Sequence, residues 1–247
     1  MNVPAHHDVA IVTGAAGSLG RIICTHLQAS GFRVAMADID VAPLEAIASQ
    51  SPGVSVHALD VRNAADFARV IEQVAARWGG VGVLVNNAAL MRATPLFEIT
   101  PDEFDDVVAV TLKGTFLGCQ AAGRHMLGHG YGRIVNIASL AGQNGGAATG
   151  AHYAAAKGGI LTMTKVFARD LAARGVTVNA ISPGPLDLPS VRDLLPKERL
   201  AAVIDSIPVR TLGDPNYIAR LVEMLALPSA ASATGATFDI NGGLYLR

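Results

Sequence analysis

Val9-Ala10-Ile11-Val12-Thr13-Gly14-Ala15-Ala16-Gly17-Ser18-Leu19-Gly20 is the stretch on which the fold turns. Its first four residues form an unbroken apolar run, which suits a strand buried on both faces. A glycine-rich turn follows, then an apolar helical pattern through Leu27, a closing Gly31 and a second strand over 33–37. Strand, turn, helix and strand make a unit of about 30 residues. Glycines in such a turn permit a tight reversal and close backbone approach to a pyrophosphate. The helix N-terminus beyond it offers free N–H groups and the positive end of its dipole. Gly14, Gly17, Ser18, Leu19 and Gly20 are therefore candidate contacts for a dinucleotide.

Asp38 ends the second strand, 18 residues after Gly20. A carboxylate there can accept hydrogen bonds from an adenosine ribose and repel a 2′-phosphate. Ile39 and Asp40 follow it, so no arginine is at hand, and Ala16 puts no base in the turn. The pattern points to NAD rather than NADP, with Asp38 and Ile39 at its ribose.

The alternation of strand and helix continues along the chain. Strands are expected over 54–58, 81–85, 133–138, 176–181 and 237–240, and helices over 64–78, from 101 toward 126, over 153–173 and from 215 through 226. Such alternation gives a parallel sheet covered on both faces, with ligands at the carboxyl ends of its strands. Gly14, Asp38, Asp60, Asn86, Ser139 and Pro183 all fall at such ends. Thr100-Pro101-Asp102-Glu103 reads as a capped helix start, which accounts for its acids without chemistry. His125 and His129 lie four apart, but no third ligand accompanies them, so no metal is expected. The chain reads as one domain over 1–247, with 186–208 as a lid over the substrate and a helix over 192–207 within it.

Composition narrows the function classes. With 51% apolar and 16% charged residues, 247 residues can bury a large core. A net charge of −1 with no basic block argues against a nucleic-acid surface. Cys24 and Cys119 fall within apolar helical patterns and read as small buried hydrophobes. Met1 to Asp8 lacks the layout of a signal peptide and no apolar run is long enough for a bilayer, so a cytoplasmic, membrane-free setting is expected.

Chemistry enters with Tyr153-Ala154-Ala155-Ala156-Lys157 and Ser139. Residues four apart on a helix share a face. A phenol titrates near ~10, and an ammonium beside it is expected to favour the phenolate. A phenol so tuned can exchange a proton with an alcohol or ketone oxygen, and Ser139 can hydrogen-bond the same oxygen.

Taken together, the turn TGAAGSLG, Asp60-Val61, Asn86-Asn87-Ala88, Ser139, Tyr153 with Lys157, Pro183-Gly184 and Gly242-Gly243 resemble the short-chain dehydrogenase/reductase family, over essentially the whole chain. The resemblance implies a Rossmann-like, doubly wound α/β fold with seven parallel strands. It implies Tyr153 as acid/base, Lys157 lowering its pKa and binding the nicotinamide ribose, and Ser139 polarising the carbonyl. It places Asp60 and Val61 near the adenine and Asn87 and Ala88 near the adenosine side, with Pro183, Gly184 and Leu186 also at the cofactor. It also implies a homotetramer built on the helices near 101–127 and 152–173.

Four departures from the family pattern stand out. Ser18 replaces the middle glycine of Gly-x-x-x-Gly-x-Gly, with Gly17 before it. Read literally, the turn matches the longer branch of the family, but the chain is too short for that branch's extra substrate region. Ala89 replaces a glycine, Thr111 stands at the usual catalytic asparagine, and Leu188 replaces a threonine at the carboxamide. The expected activity is NAD(H)-dependent interconversion of a secondary alcohol, either a small hydroxy compound or a 3-hydroxyacyl type, and its ketone. The alternative is a weakly catalytic dinucleotide-binding sensor or scaffold. Leu90, Met91, Ala141, Gln143, His152, Leu186 and Leu188 are the expected substrate wall; His152, next to Tyr153, either tunes the site or faces solvent, and the second is the expected reading.

Overall fold

Five residues, Val9–Thr13, form β1, and every one is buried. A computed structural model of the chain describes residues 3–49, 51–146, 149–192 and 197–247. β1 pairs in parallel with β2 (Arg33–Asp38) on one side and with β4 (Val83–Asn86) on the other. β3 (Val54–Ala58) lies outside β2, while β5 (Gly132–Ile137), β6 (Val176–Pro183) and β7 (Thr237–Ile240) extend the other half. The seven-stranded order is β3-β2-β1-β4-β5-β6-β7, with every pairing parallel. Strand order reverses between β1 and β4, which opens a crevice at their carboxyl ends.

Helices cover both faces because each strand carries apolar residues on both. On one side Val12, Val34 and Val85 pack with Ile23 and Leu27 of α1 (Ser18–Ala29) and with Ile218 and Val222 of the helix Pro215–Ala226. On the other, Ile11, Leu84 and Ile134 pack with Phe67 and Val70 of the helix Ala64–Trp78 and with Cys119 and Met126 of the helix Gly114–His129. Numbered in chain order, the helices are α1, α2 (Ala42–Ala48), α3 (Ala64–Trp78), α4 (Pro101–Val108), α5 (Gly114–His129), α6 (Ala141–Asn144), α7 (Ala151–Leu171), α8 (Pro189–Arg192), α9 (Lys197–Ser206) and α10 (Pro215–Ala226). Among the described residues, side-chain caps start three of them. Asn63 accepts from Ala65 N, Thr100 from Glu103 N and Asp214 from Asn216 N.

Three departures from the sequence reading bear on the site. The helix expected from 101 toward 126 is broken by a π-helical turn, Ala109–Lys113, which carries Thr111. Such a turn widens the helix locally and rearranges its backbone bonds. Within the region read as a lid, α8 begins at Pro189, ahead of the helix expected over 192–207, and α9 lies within that range, of which residues 193–196 lie outside the described residues. The short α2 and α6 were not anticipated. Cys24 and Cys119 are buried, and burial pushes both thiols up to about 12. His125 accepts Val81 N–H at 3.1 Å, and among the described residues no three ligand side chains converge on a metal site. No helix among them is long and apolar enough to cross a membrane.

Candidate active site

Backbone geometry fixes the turn after β1. Gly14 has φ +64°, and a Cβ there would lie 2.8 Å from Ala88 Cα. A Cβ at Gly20 would lie 2.1 Å from the Gly14 carbonyl oxygen. Both positions therefore exclude a side chain, so the turn stays flat where α1 begins. Thr13 and Asn87 lock this turn to the end of β4. Asn87 Nδ2 donates to the carbonyls of Thr13 and Gly14, each at 3.0 Å, and Thr13 Oγ1 accepts the N–H groups of Asn87 and Ala88, each at 3.1 Å. Asp38 closes the turn from the β2 side. Its Oδ2 accepts Ala16 N–H at 2.8 Å, and its Oδ1 accepts Asp40 N–H at 3.1 Å.

These groups line a cavity of about 890 Å³ over the carboxyl ends of the strands. Gly14, Gly17, Ser18, Leu19, Gly20, Asp38 and Ile39 form one end, with Asp60, Val61, Asn87 and Ala88 beside them. Ser139, Tyr153, Lys157, Pro183, Gly184 and Leu186 form the other. Arg62 also lines the wall, a residue the sequence reading missed. Its guanidinium grips Asp60 at 2.7 Å, and that hydrogen bond is the main reason the Asp60 carboxyl sits below the usual carboxylate range. A base two positions after a strand-end acid was the available signal.

At the reacting end, the end of β5 delivers Ser139 and the first turns of α7 deliver Tyr153 and Lys157. The Ser139 hydroxyl lines the same wall as the Tyr153 phenol, pulls its pKa downward and accepts Ala141 N–H at 3.1 Å. Lys157 Nζ sits 5.6 Å from the centroid of the Tyr153 ring and donates to the Ile137 carbonyl at 2.5 Å. The charge states differ from the sequence expectation. Burial pushes the Tyr153 phenol up to about 12, with Ser139 pulling the other way, and burial brings Lys157 down to about 7. Desolvation penalises the charged form of each group, so the lysine sheds much of the charge that was to acidify the phenol.

Other expected residues lie elsewhere. Thr111 is fully buried and does not line the cavity. Its hydroxyl accepts Leu90 N–H at 3.1 Å and donates to the Leu90 carbonyl at 3.4 Å, pinning the loop after β4. Gln143 is turned away, to Ser182 at 3.0 Å and Asp239 at 2.6 Å. The His152 ring does not face solvent. It is fully buried, with Nε2 2.9 Å from Glu103 Oε1, so Glu103 is more than a helix-start acid. Leu90, Met91, Ala141 and Leu188 do line the cavity, as does Ala89.

A family model described as enoyl-(acyl carrier protein) reductase matches residues 14–245. The chain belongs to the short-chain dehydrogenase/reductase family. An acetoacetyl-CoA reductase of Rhizobium meliloti is 38% identical over 96% of this chain and 98% of the relative. The 3-oxoacyl-[acyl-carrier-protein] reductases of Vibrio cholerae and Escherichia coli are 36% and 35% identical, each over 96% of this chain and 97% of the relative. As a short-chain dehydrogenase/reductase the chain is an oxidoreductase that uses a nicotinamide dinucleotide. The glycine turn without room for side chains, next to a cavity of this size, fits that cofactor.

Proposed function

We propose that the protein is an NAD(H)-dependent oxidoreductase that interconverts a secondary alcohol and its ketone. The observation that carries this reading is the meeting of the Ser139 hydroxyl, the Tyr153 phenol and Lys157 on the wall of the cavity that the glycine turn also lines. Bound there, the nicotinamide supplies or takes up a hydride at the carbinol carbon. In the reducing direction, Ser139 donates a hydrogen bond to the carbonyl oxygen and Tyr153 gives that oxygen its proton. In the oxidising direction, Tyr153 must first be ionised, and its phenolate then takes the hydroxyl proton as the C–H electron pair leaves. A phenol raised to about 12 holds its proton throughout the neutral range, which suits it to the donor role. Ribose hydroxyls beside Lys157 would stabilise its ammonium, restoring the charge that burial disfavours.

Asp38 supports NAD. A 2′-phosphate beside it would meet a carboxylate whose two oxygens are already bonded to backbone N–H groups, with no base supplied by Ala16, Ile39 or Asp40. The names of the relatives support a 3-oxoacyl or 3-hydroxyacyl thioester, or a smaller hydroxy compound. Reduction of a carbon–carbon double bond, as the matching family description has it, is disfavoured by the relatives at 35–38% identity, which are named as reductases of a 3-oxoacyl or acetoacetyl group. Thr111 serves in this reading as a clamp on Leu90 rather than a proton relay. The binding-only alternative is disfavoured by the complete serine, tyrosine and lysine set. We further read the protein as cytoplasmic, and as a homotetramer through the outer faces of α5 and α7.

The test is turnover. Purified protein is assayed for NADH oxidation with acetoacetyl-CoA and for NAD reduction with a panel of secondary alcohols. Tyr153→Phe is expected to lower kcat roughly 10²- to 10⁴-fold, while NADH binding measured by fluorescence persists. Undiminished turnover in that variant would remove the proposed acid.

A further inference from the structure

The catalytic helix begins in an unusual way. Gly150 stands at its N-cap and makes no side-chain cap. Instead Tyr153 N–H donates both to the Gly150 carbonyl at 3.1 Å and to His152 Nδ1 at 2.8 Å. A nitrogen that accepts bears no proton, so Nε2 carries it and donates to Glu103 Oε1 at 2.9 Å. The same Oε1 accepts the Thr94 hydroxyl at 2.5 Å, and these two bonds, Thr94 first, hold the Glu103 carboxyl below its ordinary range. One carboxylate therefore joins three segments: the loop after β4, the first turn of α4 and the head of α7.

The surroundings are built for this ring. His152 has no exposed surface. A Cβ on Gly150 would lie 2.3 Å from His152 Cε1, so glycine makes the room. Gly150 N–H in turn donates to the Arg92 carbonyl at 2.9 Å, a second tie between the loop and α7. A buried histidine bonded through both nitrogens has its rotamer and tautomer fixed, and it fixes the groups at either end.

We infer that His152, oriented by Glu103, is a positioning residue that sets the backbone of Tyr153, and hence the phenol, against the loop that walls the substrate. This rests on Tyr153 being the acid/base. His152 touches no reacting atom; it acts through the first turn of the helix. Displacing a reacting group by about 1 Å can cost up to ~10²-fold in rate, so a backbone hinge beside the phenol has leverage on kcat and little on cofactor binding.

Two substitutions separate its two bonds. His152→Asn keeps an acceptor at the Nδ1 position but cannot reach Glu103. His152→Gln reaches Glu103 but gives up the bond to Tyr153 N–H. Each is expected to lower kcat roughly 10- to 100-fold, leaving KM and the Kd for NADH within about twofold. Glu103→Gln, with its partly exposed side chain, tests the other end without a change of shape and is expected to lower kcat in the same sense. Independently of turnover, deuterium uptake at the amide of Tyr153 in the cofactor-free protein should rise in His152→Gln and stay low in His152→Asn. Wild-type kcat in both His152 variants, or unchanged amide exchange in His152→Gln, overturns the proposal. So does a loss of NADH affinity in step with kcat, which marks a general structural role. Tyr153→Phe run alongside separates the two readings: if it stays active the acid/base assignment falls, and if it is dead while the His152 variants are not, only the positioning role falls.

Discussion

Lys157 is the residue whose chemistry is most exposed to its surroundings. It is 2% exposed, its one described hydrogen bond goes to the carbonyl of Ile137, and burial brings it from 10.5 down to about 7. Stability must then depend on pH. Below about 7 the lysine is protonated in folded and unfolded chain alike, and folding bears the whole cost of burying the charge. Between about 7 and 10.5 the unfolded chain holds the proton and the folded chain does not, so stability rises with pH. Tyr153 acts in the opposite sense at higher pH. Its phenol, raised from 10.0 to about 12, keeps its proton in the folded state while the unfolded chain loses it, so stability falls across that interval. The expected result is an unfolding free energy, from denaturant titration of the cofactor-free protein, that climbs from pH 7 toward pH 10 with a slope of at most ~1.4 kcal/mol per pH unit. Lys157→Met should lack that climb. Parallel curves for the two proteins would show that the ammonium is not desolvated.

Elements meet at the glycine turn, and Asp38 is where β2 takes hold of it. Because Asp38 Oδ2 receives Ala16 N–H, the carboxylate both shapes the turn and faces the place where a ribose would lie. Asp38→Ala should therefore do two things at once. Discrimination against NADP relaxes, and affinity for NAD itself drops about tenfold or more, the range for losing a charge-assisted hydrogen bond. Titration of both cofactors by fluorescence checks this; equal affinity for the two in the unsubstituted protein would contradict the role given to Asp38. The strands were legible in the sequence because a parallel strand buried on both faces is written as an apolar run, as in Val9–Thr13. Helix starts at Thr100 and Asp214 were legible because their caps are local. The Ala16 to Asp38 bond spans 22 residues and the His152 to Glu103 contact 49, and no local pattern encodes either. The π-helical turn at Ala109–Lys113 was hidden for a related reason. Its Thr111 hydroxyl is held by Leu90, on a different segment. The charge states of Tyr153 and Lys157 depend on burial, which a four-residue spacing does not report.

At the scale of the whole molecule, α7 has two faces with different duties. Tyr153 and Lys157 line the active-site cavity, and Ile160, Thr164 and Ala168 farther along the helix are buried. Gly159, Met163, Val166 and Asp170 instead line a groove of about 660 Å³ with Leu112, Phe116 and Phe167. Phe116 and Val166, on the wall of this groove, remain 40% and 43% exposed. A second copy of the same face is the occupant proposed for it, since two antiparallel pairs of α5 and α7 would close the groove with like against like. That contact alone pairs two chains, so light scattering should give at least twice the 25.4 kDa of the chain, and four times it where a second contact joins two such pairs into the proposed tetramer. Val166→Glu would place a carboxylate in the centre of that contact and is expected to shift the mass to a dimer or monomer. NADH binding should survive, because the glycine turn lies on other elements, while kcat falls, because the catalytic helix loses the support of its outer face. A wild-type protein that runs at 25.4 kDa, or a Val166→Glu variant that keeps the full assembled mass, would rule out this groove as the contact.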